Sequence, residues 1–330
     1  MRWPERAAAR ARCIRGVGAL LACAVLATRA IAAPAADPPP GVATEIAAGV
    51  YVVRGAAGEV APDNRGRTGN AGFVVGAGGI VAIDSGTSHR QGQALLAAIG
   101  QASPLPLRRL VLTQARQEFI FGAGAFRERG VPVLMHRDAA RLMAARCDRC
   151  LATLRRTLGD DEMQGTALPT PDLTFTGSID VAVDADAGGR RLRVLDFGLA
   201  SGPGAVAVFD ERSGVLFAGG LLDHRRIPDV QDADLDGWLR ALDALRRLPI
   251  TAIVPGHGPV AGPALIDTVE RYLRQLQARV RDLFESGAAL AEVPDLAALP
   301  EFEAWDQADV VHRRNASIVF LRLEREQLTK

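Results

Sequence analysis

From Gly49 onward, short apolar runs alternate with longer segments whose apolar residues recur at helical spacing. Tyr51 to Val53, Phe73 to Val75 and Ile80 to Ile83 are short, rich in β-branched or aromatic residues and separated by Gly, Asn and Asp, which predicts strands joined by turns. After the loop and capping residues Asp84, Ser85, Gly86 and Thr87, the segment following Ser88 puts Leu95, Leu96 and Ile99 on one helical face. A strand over Leu110 to Thr113 leads into a helical stretch through Phe126. Val131 to Met135 is a further strand, and His136 to about Leu158 a long helix. Leu192 to Leu195, Ala205 to Phe209 and Val215 to Ala218 are strands. Leu235, Trp238, Leu239, Leu242 and Leu245 form one apolar helical stripe, and Leu265, Val269, Tyr272, Leu273, Leu276, Val280 and Leu283 another, with the strand Thr251 to Val254 between. This alternation predicts a single α/β domain over residues 42–330, without internal repeat.

The N-terminus differs. Arg2, Arg6, Arg10, Arg12 and Arg15 precede an apolar run from Val17 to Ala27 and small residues near Ala30, Ile31 and Ala32. These are the three parts of a secretory signal, so residues 1–32 are expected to be removed on export and 33–41 to form a Pro- and Ala-rich lead-in. The mature protein is then periplasmic or secreted. The run is shorter than the ~20 residues of a spanning helix, which argues against a stable transmembrane anchor. A rival cleavage pattern, Leu20, Leu21, Ala22, Cys23, would give a lipoprotein through Cys23, although a second leucine there is less usual.

A hydrophobic content of 48% is enough for a substantial core, and 39 basic against 38 acidic residues leave a net charge of +1. Such a balance offers no field for nucleic acid. Lys330 is the only lysine, which excludes Schiff-base and P-loop chemistry. Loss of the leader leaves Cys147 and Cys150, a CxxC within a helix, open to reading as a disulfide, a redox pair or half of a zinc site. Asp232, Asp234, Asp236 and Gly237 imitate half a calcium loop, but Asp243, at the place of the bidentate glutamate, lies inside a helix; an acidic helix start explains them better. Asp223 and His224 are either a solvated turn before Pro228 or, with His257, a substitute site.

Four stretches carry a resemblance. Val81, Ala82, Ile83, Asp84, Ser85, Gly86 is a strand closed by aspartate. Leu112, Thr113, Gln114, Ala115, Arg116, Gln117, Glu118, Phe119 is a strand ending in threonine before a polar loop. Phe217, Ala218, Gly219, Gly220 and Val254, Pro255, Gly256, His257, Gly258 follow in order. In order and spacing the chain resembles the metallo-β-lactamase superfamily and, within it, the quinoprotein relay system zinc metallohydrolases. Leu158 to Met163 and Arg314, Asn315 add to that likeness. The resemblance implies an αββα sandwich and a zinc centre after these strands.

At that centre the chain departs from the pattern. Gln114 and Arg116 stand for two histidines, Glu118 for an aspartate, Phe119 for another histidine, Ser201 for a further one and Gly220 for the bridging aspartate; His257 alone is retained. Zinc needs imidazole, thiolate or carboxylate donors. Of these positions only Glu118 and His257 offer one, and a fixed guanidinium at 116 repels a cation. No metal cofactor is therefore expected, and the chain reads as a non-catalytic binding or accessory protein for a small molecule or periplasmic protein. The alternative is a hydrolase with an altered mononuclear zinc site. Arg116 is expected to pair with Glu118 or Asp84 in place of the metal. Asp84 either orients site residues or caps the following helix, and His257 is either a ligand or a hydrogen-bonded structural residue. For Cys147 and Cys150 the resemblance implies a local disulfide.

Overall fold

A computed structural model describes residues 39–184 and 189–329; the expected leader, Cys13, Cys23 and most of the lead-in lie outside the described residues. Seven strands make the first sheet: β1 (Ala43–Ala47), β2 (Val50–Val53), β3 (Ala71–Val75), β4 (Ile80–Ile83), β5 (Leu107–Leu112), β6 (Val133–His136) and β7 (Leu173–Phe175), side by side in that order. β1 to β4 pair antiparallel, and β4 to β7 parallel. The second sheet has the order β12-β11-β10-β9-β8, formed by β8 (Ile179–Ala182), β9 (Arg191–Asp196), β10 (Val206–Asp210), β11 (Val215–Phe217) and β12 (Ala252–Val254). Helices α1 (His89–Ala102), α2 (Gln117–Ile120), α3 (Ala123–Glu128) and α4 (Arg137–Glu162) accompany the first sheet. α5 (Leu235–Arg246), α6 (Leu265–Glu285), α7 (Val293–Leu296) and α8 (Arg313–Leu328) accompany the second.

The period-two pattern explains the layers. In β4, Val81 and Ile83 join an inter-sheet core of valines, whereas Ile80 and Ala82 join the core under α1 and α3. In β10, Val206 and Val208 face between the sheets while Ala207 and Phe209 face α5 and α6. With both faces covered, a slip of one residue exchanges the two sets, so the register is strongly fixed. The result is the αββα sandwich. The long helix begins one residue after the expected start, because His136 closes β6 and caps α4 by accepting from the Asp138 N–H.

One polar network ties the two sheets and a second holds a loop to the outer helices. Buried Arg190 donates to both carboxylate oxygens of Asp210 (3.0 and 2.5 Å) and to the carbonyls of Ala48 (3.0 Å) and Val75 (2.8 Å), joining the second sheet to the first. At the other end, Asn315 of α8 donates to Pro228 O (2.7 Å) and Tyr272 Oη (2.9 Å) and accepts from Val230 N (3.2 Å). That clamp fixes residues 228–230 over the strand ends. No helix among the described residues is long and apolar enough to cross a membrane.

Candidate functional site

Asp84, Thr113, Gly220 and His257 follow the carboxyl ends of β4, β5, β11 and β12, where open α/β sheets gather their ligand-binding loops. Asp84 takes a left-handed backbone (φ 58°), a conformation that aspartate tolerates better than most residues. Its buried carboxylate accepts from Thr113 N (2.8 Å) and Thr113 Oγ1 (2.8 Å) and so aims the loop after β5. The helix cap is Ser88, which accepts from Gln91 N, so the capping alternative for Asp84 is corrected. Burial drives the Asp84 carboxyl up to about 7 against the pull of these hydrogen bonds.

His257 is buried between two carboxylates. Its Nδ1 lies 2.8 Å from Asp223 Oδ1, and its Nε2 lies 3.2 Å from Glu118 Oε1, an ion-pair contact outside hydrogen-bond alignment. Burial alone lowers the basicity of the imidazole, but the charge of Asp223 and the contacts with both carboxylates outweigh it, and the pKa is raised. Burial likewise opposes ionisation of Glu118. The neighbouring His257 and Arg116 prevail and hold its carboxyl down to about 2. The cluster is thus an imidazole held between two carboxylates that both favour its protonated form. The stability it contributes through His257 is complete below the unfolded histidine pKa and is lost as pH rises through the higher folded value. Phe119 packs its ring edge-on against His257 at 5.3 Å.

Asp223 is therefore no part of a solvated turn: it is buried and holds the retained histidine. His224 points elsewhere, its Nδ1 2.9 Å from Pro259 O. The expected pairing of Arg116 is also corrected. Its guanidinium donates to Asp229 O (3.0 Å) and pairs with Asp229 Oδ2 (3.4 Å), because Asp84 is enclosed with Thr113 and Glu118 is engaged by His257. Arg314 of α8 holds the same Asp229 carboxylate at 2.9 Å.

Gln114 fills the room beside Gly220: a Cβ on Gly220 would stand 2.1 Å from Gln114 Oε1. Gly220→Asp alone is expected to cost roughly 1–3 kcal/mol through overpacking, measured by urea denaturation, and Gln114→Ala in the same chain should recover most of it. Gln114 Nε2, Ser201 Oγ and His257 Nε2 are buried without a hydrogen-bond partner. Among the described residues, no group of three or more His, Cys, Asp or Glu side chains is arranged to hold a metal ion.

Asn70 was not signalled by the sequence. It donates to Pro255 O (2.8 Å) and Gly258 O (2.9 Å) and accepts from Gly55 N, anchoring the His257 loop to the first sheet. Asn70→Ala leaves two buried backbone groups and one part-buried one unpaired. A loss of about 1–3 kcal/mol is expected in thermal or chemical unfolding.

A cleft of about 380 Å³ opens above the cluster. Its lining includes Arg116, Glu118, Asp223 and His257 together with Leu142, Cys147, Cys150 and Thr153 of α4. The two sulfurs are 3.2 Å apart as free thiols. Asp232 at the rim pairs with Arg146, and Asp234 starts α5, so the acidic run serves a helix start and an ion pair.

A sequence model of the metallo-beta-lactamase superfamily matches residues 64–257, which span the loops just described. The chain belongs to this superfamily. Solved superfamily structures share its fold. A metallo-beta-lactamase from Pontibacter korlensis is 24% identical with a TM-score of 0.57, covering 70% of this chain and 98% of its own. A metallo beta lactamase from Erythrobacter litoralis, crystallised with beta mercaptoethanol in the active site, is 17% identical with a TM-score of 0.54, covering 71% and 96%. No protein of curated function matches the chain.

Proposed function

We propose that this superfamily member is an exported, non-catalytic binding or accessory protein whose ancestral zinc centre has been replaced by a metal-free polar cluster. The observation that carries this reading is the donor set at the strand ends: of the ancestral ligand positions only Glu118 and His257, 3.2 Å apart, bear a side chain that zinc takes. A metal-binding imidazole must present an unprotonated nitrogen. His257 keeps Nε2 for that role while Asp223 holds Nδ1, but with Glu118 as its one neighbouring donor among the ancestral positions it falls short of the four ligands zinc takes. Gln114, Phe119 and Gly220 supply no strong donor, and the Gln114 amide takes up room beside Gly220 that a bridging carboxylate would need. The cleft of about 380 Å³ lined by Arg116, Glu118, Asp223 and His257 suits a small polar molecule. The likeness to quinoprotein relay system hydrolases supports a place beside quinoprotein dehydrogenases in the periplasm.

Metal analysis of the purified protein tests the reading. Zinc well below one equivalent, unchanged by His257→Ala, is expected. Stoichiometric zinc that disappears on Glu118→Ala or His257→Ala would instead establish the mononuclear hydrolase. Restoring the ligands Gln114→His, Arg116→His, Glu118→Asp, Phe119→His, Ser201→His and Gly220→Asp together should create zinc binding, and failure in a well-folded variant would count against the mapping.

A further inference from the structure

We propose that Cys147 and Cys150 form a thiol–disulfide exchange site that accepts a low-molecular-weight disulfide entering the cleft. Two independent features of the fold carry this. The residues lie three apart on α4, so their side chains share a face and the sulfurs meet at 3.2 Å. That face lines the same cleft as Glu118 and His257, and a cleft of about 380 Å³ suits a small molecule.

The two sulfurs are not equivalent. Both line the cleft, but Cys150 is half-buried, whereas Cys147 is buried and its Sγ lies 3.9 Å from Ala115 O, on the loop that carries Arg116 and Glu118. The hydrogen bond with Cys147 draws the Cys150 thiol down to about 7, and the same contact with burial pushes Cys147 up. Attack from Cys150, then resolution by Cys147, is the order this asymmetry dictates. In the first step the Cys150 thiolate forms a bond to one sulfur of the incoming disulfide, whose S–S bond breaks and releases a thiolate that takes up a proton. In the second, Cys147 gives up its proton and attacks Cys150 Sγ, expelling the other half as thiolate. The protein pair is oxidised by two electrons, and the small disulfide is reduced to two thiols.

A purely structural bridge is a poorer account of the pair. A bond between residues three apart closes a very short loop, inside a helix already held by its own hydrogen bonds, where the gain from cross-linking is small.

The test uses the full chain with Cys13→Ser and Cys23→Ser, reduced, exposed to bis(2-hydroxyethyl) disulfide and followed by intact mass. The parent should become two hydrogens lighter without a lasting adduct. Cys147→Ser should retain a single adduct, and Cys150→Ser should react about tenfold more slowly. An adduct that persists in the parent, or equal rates for the two single variants, overturns the proposal. Phenylarsine oxide, which chelates paired thiols, supplies a reading that needs no Cys147 or Cys150 variant: one equivalent should block the reaction, and failure to block it refutes the pairing. Faster reaction with the disulfides of insulin than with the small disulfide would overturn the assignment to a small ligand.

Discussion

Asp210→Ala is expected to lower the unfolding free energy by roughly 3–5 kcal/mol, the range for removing one partner of a buried ion pair. The side chain of Asp210 is fully enclosed and that of Arg190 is 3% exposed, so the guanidinium left behind has no route to water. Its remaining acceptors are the carbonyls of Ala48 and Val75, which do not neutralise it. Burial opposes ionisation of Asp210, yet Arg190 and Ser213 keep its carboxyl below the ordinary value, and this contribution is present above the unfolded carboxyl pKa and lost as pH falls through the folded one. Urea denaturation at neutral pH measures the effect. The double replacement Arg190→Met with Asp210→Leu should recover most of it, and a double variant as unstable as Asp210→Ala would show that the backbone hydrogen bonds matter more than the charge pair.

Asp84→Asn is expected to have an opposite and comparably large effect, visible only at the right pH. With the folded carboxyl raised to about 7, folding holds a proton that the unfolded chain releases near pH 4. Below that pH both states are protonated and the group contributes nothing. Between about 4 and 7 stability falls as pH rises, by up to about 4 kcal/mol, and then levels. Asparagine keeps the shape, accepts from Thr113 N and tolerates the left-handed backbone, without a proton to lose. The variant should match the parent at pH 4 and exceed it at pH 8. A variant weaker than the parent at pH 8 would mean that the ionised carboxylate is what Thr113 requires.

Most of the sandwich was legible because its strands alternate cleanly between two cores and because α5 and α6 carry unbroken apolar stripes. β7 was not read: it is an edge strand whose Leu173 and Thr174 are exposed. α8 escaped for a similar reason, burying only Asn315, Ala316, Val319 and Phe320 among many charged residues. At the site, the loops after β4, β5, β11 and β12 could be located from their order, but the partners of their side chains could not. Asp223 resembles any polar turn until His257, 34 residues later, is brought against it. Arg116 finds Asp229 only because α8 holds residues 228–230 in place, a pairing that no local pattern encodes.

The clamp made by Asn315 also makes the rim of the cleft depend on sequence far downstream of its walls. Gln114, Arg116, Cys147 and Cys150 all precede β8 to β12, whereas Asp229 and Pro228 are held by Arg314 and Asn315 of α8. Trimming the chain back to α7 would therefore leave every strand of both sheets in place and release the carboxylate that Arg116 pairs with.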